Sequence, residues 1–172
     1  MPEGIKENMK PRLAKVTVSI SVGEAGERLA KAEQLLGFLT GKKPARAYAK
    51  GTNRDFGIRK GMPMGCKVTL RGKDAYEFLQ RAIKAKNNTL RVRNFDRMGN
   101  FSFGIAEYTD LENIRYNPEL GMFGMDVNVA LERMGYRVER RKVRNRRVAA
   151  GHRVKREEAI AFAKGLGIEV VE

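Results

Sequence analysis

Ten basic residues lie between Arg137 and Arg156, at positions 137, 140, 141, 142, 144, 146, 147, 153, 155 and 156, against one carboxylate, Glu139. Eight of the ten are arginine, whose planar guanidinium makes paired hydrogen bonds to phosphate and stacks on bases, where lysine offers only a point charge. An ordinary solvated face carries compensating acids. Here they are nearly absent, so the chemistry this stretch suits is polyanion recognition, with Arg140, Arg141, Lys142, Arg144, Arg146, Arg147 and Arg153 as candidate phosphate contacts. An anionic membrane is the weaker rival, because no large apolar residues recur at helical spacing beside the cations.

A second group sits in Gly51 to Gly65, reading GTNRDFGIRKGMPMG. Connections beyond roughly 12 residues in a compact protein are usually functional or disordered. This one sets Arg54, Arg59 and Lys60 beside Phe56 and Ile58, a mixture that can grip a folded RNA backbone. A floppy surface loop, or a β-hairpin whose tip happens to be basic, remains equally open. A third stretch, from Lys84 to Arg97, holds Lys84, Lys86, Arg91, Arg93 and Arg97 with Asn87, Asn88 and Phe95, opposed by Asp96. It either widens an RNA footprint or is a solvated loop that packs Leu90 and Phe95 on the core.

Signs of catalysis are scarce. Gly37 to Lys43 reads GFLTGKK, which lacks the spacing and the Ser/Thr of a phosphate-binding P-loop and reads better as a helix end. His152 has no carboxylate or nucleophile near it in sequence, and Asp110 and Glu112 form no paired-carboxylate pattern. Cys66 falls on the inward side of an alternating run, where a thiol is usually a small buried hydrophobe. One Cys and one His supply neither an internal disulfide nor a four-ligand zinc site. The expectation is a binding protein, not an enzyme, with no cofactor and no metal.

The elements that must position these residues follow from periodicity. Val16, Val18, Ile20 and Val22 alternate with Thr17, Ser19 and Ser21, the period of a half-buried strand. Ala25, Leu29, Ala32, Leu36 and Leu39 recur at helical spacing until Gly41 and Pro44 stop them. Cys66, Val68 and Leu70 alternate with Lys67, Thr69 and Arg71, and Ala75, Phe78, Leu79, Ala82 and Ile83 follow as a second helix. Further strands are expected at Phe101 to Ile105 and Met125 to Glu132, weaker ones at Ala45 to Lys50 and Tyr136 to Val143, and a last helix at Arg156 to Lys164 precedes a strand at Ile168 to Val171.

Clean alternation argues against a parallel sheet buried on both faces. The expected class is therefore α+β, with a largely antiparallel sheet, helices packed on one face and a long basic loop. The uncovered face would carry Thr17, Ser19, Ser21, Lys67, Thr69, Arg71 and Ser102, hydroxyls and cations suited to sugar and phosphate. From alternation alone, an ordinary solvated sheet face is as good a reading.

With 172 residues the chain is expected to form one domain, residues 1–172, with a basic extension at about 137–156. Lys and Arg number 35 against 20 Asp and Glu, a net charge of +15, while 42% hydrophobic residues exclude a disordered basic tail. No apolar run reaches the roughly 20 residues of a membrane span, and Met1 to Lys15 has no signal-like stretch, so a cytosolic, non-membrane protein is expected.

Seven stretches together resemble one family, the universal large-subunit ribosomal protein numbered five in its archaeal form: KVTVSISVGEAGERLAKAEQLL, LTGKKP, RDFGIRKGMPMGCKVTLRG, FDRMGNFSFGI, FGMDVNVALER, GYRVERRKV and HRVKREEAIAF. The resemblance covers nearly the whole chain. It implies an α+β structural protein of the cytoplasmic ribosome, monomeric outside it, that binds 5S rRNA in the central protuberance. By position, the family's 5S-contacting residues fall on Ser19, Lys42, Thr69 and Arg71, with Lys67 on the same face. This chain departs from the family's usual Asn at Ser19, Gly at Ser21 and Gln at Lys42. The resemblance further implies that the 51–65 loop reaches the elbow of P-site tRNA through Asn53, Arg54, Phe56, Arg59 and Lys60. The 137–156 extension would contact large-subunit rRNA, and small-subunit head proteins would be neighbours. A free RNA-binding regulator or RNA chaperone is the alternative function.

Overall fold

A computed structural model of the chain describes residues 7–112 and 114–171. Its centre is strand β1 (Arg12–Ser21), whose Val16, Val18 and Ile20 are buried while Thr17 and Ser19 point to the other side. Helix α1 (Glu27–Thr40) returns antiparallel and buries Leu29, Ala32, Leu35, Leu36 and Leu39. It ends where Gly41 adopts φ 64°, a left-handed cap whose N–H donates to the Gly37 carbonyl at 2.8 Å. Strand β2 (Ala45–Tyr48) is short, and β3 (Pro63–Leu70) alternates inward Cys66, Val68 and Leu70 with outward Lys67 and Thr69. Helix α2 (Lys73–Lys84) follows, then β4 (Thr89–Arg91), β5 (Phe101–Ile105) and β6 (Met125–Glu132). After β6 come the short helix α3 (Arg137–Arg140), helix α4 (Arg156–Gly165) and β7 (Glu169–Val171).

The main sheet has the order β2-β3-β1-β6-β5 with every pair antiparallel. Such a sheet can leave one face to water. Its inner face meets α1 and α2 in one hydrophobic cluster that also takes Ala159 and Ala163 of α4. The fold is α+β, as the alternation required. Gly65 shows how tightly the sheet is set: a Cβ there would lie 2.6 Å from the Ile20 carbonyl oxygen, so only glycine lets β3 approach β1 at that row.

One expectation needs correcting. Tyr136 to Val143 is not a strand. Gly135 at φ 99° turns the chain away after β6, α3 forms, and the apolar groups serve a compact hook instead of a ladder. The Tyr136 hydroxyl accepts from Val154 N–H at 3.2 Å, and the Val138 carbonyl accepts from Arg146 N–H at 3.2 Å. The strand expected at Ile168 to Val171 forms as β7 and pairs in parallel with β4, Leu90 opposite Val170, as a separate two-stranded sheet.

Candidate nucleic-acid interface

Register turns the alternation of single strands into rows across the open face. Lys67 of β3 lies opposite Ser19 of β1, and Ser19 opposite Asp126 of β6. In the next row Thr69, Thr17, Asn128 and Ser102 follow one another across four strands. Arg71 is exposed just past the end of β3, on the same side as Lys67 and Thr69 by the period of two. Among the described residues neither Lys67 nor Arg71 has a carboxylate within ion-pairing distance, so both charges are open to an incoming anion.

Lys42 reaches the same end of the sheet by another route. The helix cap at Gly41 turns the chain, the Thr40 hydroxyl holds the Leu36 carbonyl at 2.6 Å, and Lys42 Nζ then pairs with the Asp74 carboxylate at the start of α2. The Lys42 ammonium, through its hydrogen bond and its charge, holds the Asp74 carboxyl below the ordinary carboxylate range. Sequence reading placed Lys42 in the site but missed this partner, because 32 residues separate the two and no local pattern links them. On the helix side of the sheet, Arg46 makes a paired contact with Glu33 at 2.5 and 3.1 Å, which withdraws that cation from the open face.

The 51–65 segment is an ordered hairpin extension of β2 and β3. Ala49 and Met62 are joined at 2.9 Å, Asn53 and Ile58 exchange both backbone hydrogen bonds at 2.8 and 2.9 Å, and Lys60 N–H donates to the Thr52 hydroxyl at 3.1 Å. The Asn53 side chain caps the tip by accepting from Asp55 N–H at 3.0 Å, and Gly57 takes φ 66°. Arg54, Arg59 and Lys60 are exposed, and Phe56 is 76% exposed at the tip. An exposed aromatic ring flanked by cations offers a stacking surface for an unpaired base. The eight residues of β3 put roughly 25 Å between this hairpin and Arg71 at the other end of the strand. The structure thus sets the hairpin apart from Arg71, with Lys67 on the strand between them.

The 137–156 extension folds on itself beside the Arg71 end. Arg140 pairs with Glu132, Arg141 Nε donates to the Arg144 carbonyl at 2.8 Å, and the Asn145 amide donates to the Glu139 carbonyl at 2.8 Å. Lys142, Arg144, Arg146 and Arg147 remain exposed, while Arg153 is half-buried. Inside the base of this hook lies a cation sequence reading passed over, Arg133, only 4% exposed, which donates to the Gly151 carbonyl at 3.2 Å and pairs with Glu158 of α4. In the third basic stretch Lys84 is tied to Glu112 at 3.1 Å and Leu90 and Phe95 are buried, whereas Arg91, Arg93 and Arg97 are exposed.

Comparison with known proteins gives this surface its context. Residues 7–59 match the profile described as ribosomal protein L5, and residues 63–168 match the profile described as the C-terminus of that ribosomal family. The chain belongs to the ribosomal protein L5 family. Similar proteins include the large ribosomal subunit protein uL5 of Sulfurisphaera tokodaii, 52% identical over 165 residues, 95% of this chain and 93% of the relative. Those of Methanoregula boonei and Methanococcus vannielii are each 49% identical, over 87% and 96% of this chain and 91% and 94% of theirs. These relatives make the chain an archaeal-type member of a structural, non-enzymatic family. The two matched regions meet at the hairpin, and β2 and β3, one from each, pair across the boundary.

Proposed function

We propose that this L5-family protein is a structural RNA-binding component of the large ribosomal subunit in the cytoplasm, which holds 5S rRNA on the open sheet face and touches P-site tRNA with the hairpin. The observation that carries the reading is the single row-ordered face in which Lys67, Thr69, Thr17 and Ser19 stand together beside Arg71 and Lys42. Hydroxyls and cations without apolar side chains suit ribose and phosphate, the groups by which folded RNA is recognised through shape. The second contact is supported by placement: the hairpin carries its own exposed cations around Phe56, with roughly 25 Å of β3 between it and Arg71. Asn53, Arg54, Phe56, Arg59 and Lys60 then meet a different RNA, and the 137–156 hook adds large-subunit rRNA. Neighbouring ribosomal proteins, those of the small-subunit head included, complete the setting of a protein that is monomeric when free.

The test is filter binding with a 5S transcript and an unrelated hairpin over a salt series. Lys67→Ala with Arg71→Ala is expected to weaken 5S binding and to flatten the slope of log affinity against log salt by about 0.7 to 0.9 per lost phosphate contact. Arg54→Ala with Arg59→Ala is expected to leave 5S binding intact and to weaken protection of tRNA on assembled ribosomes. Equal loss of 5S binding in both variants would refute the division of labour. A protein that does not travel with large subunits through a moderate salt wash would be a free regulator instead.

A further inference from the structure

The open face is not chemically uniform. Its β3 and β1 side carries cations and hydroxyls, but its β6 and β5 side carries Asp126, Asn128 and Ser102, and the turn before β5 adds Asn94. The Asn94 amide donates to the Ser102 carbonyl at 2.9 Å, which fixes that turn against the sheet edge. Between them runs a groove of about 490 Å³, lined by Arg93, Asn94, Ser102, Gly104, Asp126 and Asn128, within the size range of small-ligand clefts, about 300 to 1,000 Å³.

Asp126 is the anomaly. It is exposed, and among the described residues it has no ion pair. Lys67 stands two strands away in the same row, roughly 10 Å off. Opposite Asp126 on β5 is Gly104, where a Cβ would sit 3.6 Å from Asp126 Oδ1, so the carboxylate is left open on that side. A bare carboxylate repels phosphate. It accepts hydrogen bonds only, and the donors an RNA offers are the amino and imino groups of its bases and the ribose 2′-hydroxyl, of which only the base groups carry sequence preference. Asn128, exposed on the same face, adds an amide, a group that also reads base edges, whereas the Asn94 amide is held by the Ser102 carbonyl.

We infer that Asp126 and Asn128 form a base-reading subsite, in which Asp126 accepts from the amino-bearing edge of an unpaired base and Asn128 completes the contact, with Arg93 at the rim. This rests on the 5S reading above, and deepens it: cations on one side of the sheet hold the backbone, and the β6 side supplies sequence preference. Guanine, with N1–H and the 2-amino group side by side, and cytosine, with its 4-amino group, both offer the required donors.

The experiment compares wild-type protein with Asp126→Ala, Asp126→Asn and Asn128→Ala, using the 5S transcript and an unrelated hairpin at fixed salt. Both Asp126 variants are expected to bind 5S roughly 5- to 100-fold more weakly while binding the unrelated hairpin as well as before or slightly better, since a repulsive charge has gone. Asn128→Ala should lose 5S affinity in the same sense. The salt slope should not change, which separates these variants from Lys67→Ala. Kethoxal probing of unpaired guanines and dimethyl sulfate probing of unpaired cytosines on the bound transcript name the base: one protected position should regain reactivity with Asp126→Asn. If Asp126→Ala tightens both RNAs, or leaves 5S affinity unchanged, the inference is overturned while the 5S reading stands. A wild-type protein that binds both RNAs equally overturns the 5S reading, and this one with it.

Discussion

Replacing Arg133 with methionine tests whether the cationic hook is held to the body by a buried guanidinium. Arg133 is 4% exposed; one terminal nitrogen donates to the Gly151 carbonyl at 3.2 Å and the other pairs with Glu158, whose second oxygen accepts from Lys155 N–H at 3.0 Å. Hydrogen bonds to a charged group contribute about 1.5 to 3 kcal/mol each. Two of them are opposed by the cost of stripping water from the guanidinium, whose Nε has no partner among the described residues. Methionine restores the apolar bulk without that cost, and Glu158, with a side chain one-third exposed, can rehydrate and keep its capping bond to Lys155. The net loss expected is about 1 to 3 kcal/mol, or a fall in Tm of roughly 3 to 10 °C. Urea unfolding followed by circular dichroism measures it, and limited trypsin digestion should cut the 137–156 hook faster in the variant. Arg133→Lys should fall in between, since it keeps the charge and loses the fork. A methionine variant as stable as wild type, with the hook equally resistant, would refute the argument.

Two further tests concern titrating groups. Asp74 is held below its usual value by Lys42, so the pairing stabilises the fold above about pH 4 and is lost as pH falls through the lowered value. The urea midpoints of wild type and Asp74→Asn should therefore differ at pH 7, and the gap should narrow as pH falls below about 4; a constant gap would contradict the pairing. Burial pushes the Cys66 thiol up to about 11, so alkylation by iodoacetamide at pH 8 should await opening of the fold and accelerate sharply in urea. Fast labelling of the native protein would place Cys66 at the surface. Linkage also requires stability to fall as pH rises between about 9 and about 11.

The faces of β1, β3, β5 and β6 were legible because a period of two admits only one sorting of residues between core and water. That sorting put Ser19, Lys67 and Thr69 on one surface before any coordinates. It does not give their neighbours, since register across strands is a long-range property, and only the pairing of β1 with β6 sets Asp126 beside Ser19. Tyr136 and Val138 alternate as a strand would, but Val143 falls out of that period, and Gly135 and the pairing of Arg140 with Glu132 bend the chain into a hook. The three-residue strand β4 is too short for periodicity to register, whereas β7 stood out as an apolar run after the glycines that end α4. The hairpin was the nearest miss: Asn53, Asp55 and Gly57 are turn residues, and the spacing of the tip follows from them.

The small parallel ladder between β4 and β7 bears on how the chain matures. It ties Thr89 to Glu169 and so encloses about eighty residues, among them β5, β6 and every cation of the hook. Closing so long a span is entropically slow compared with forming a local helix or hairpin. The ladder is thus a long-range tie: it holds the two ends of the segment that carries the arginine-rich hook, so cutting back β7 would release that segment at one end.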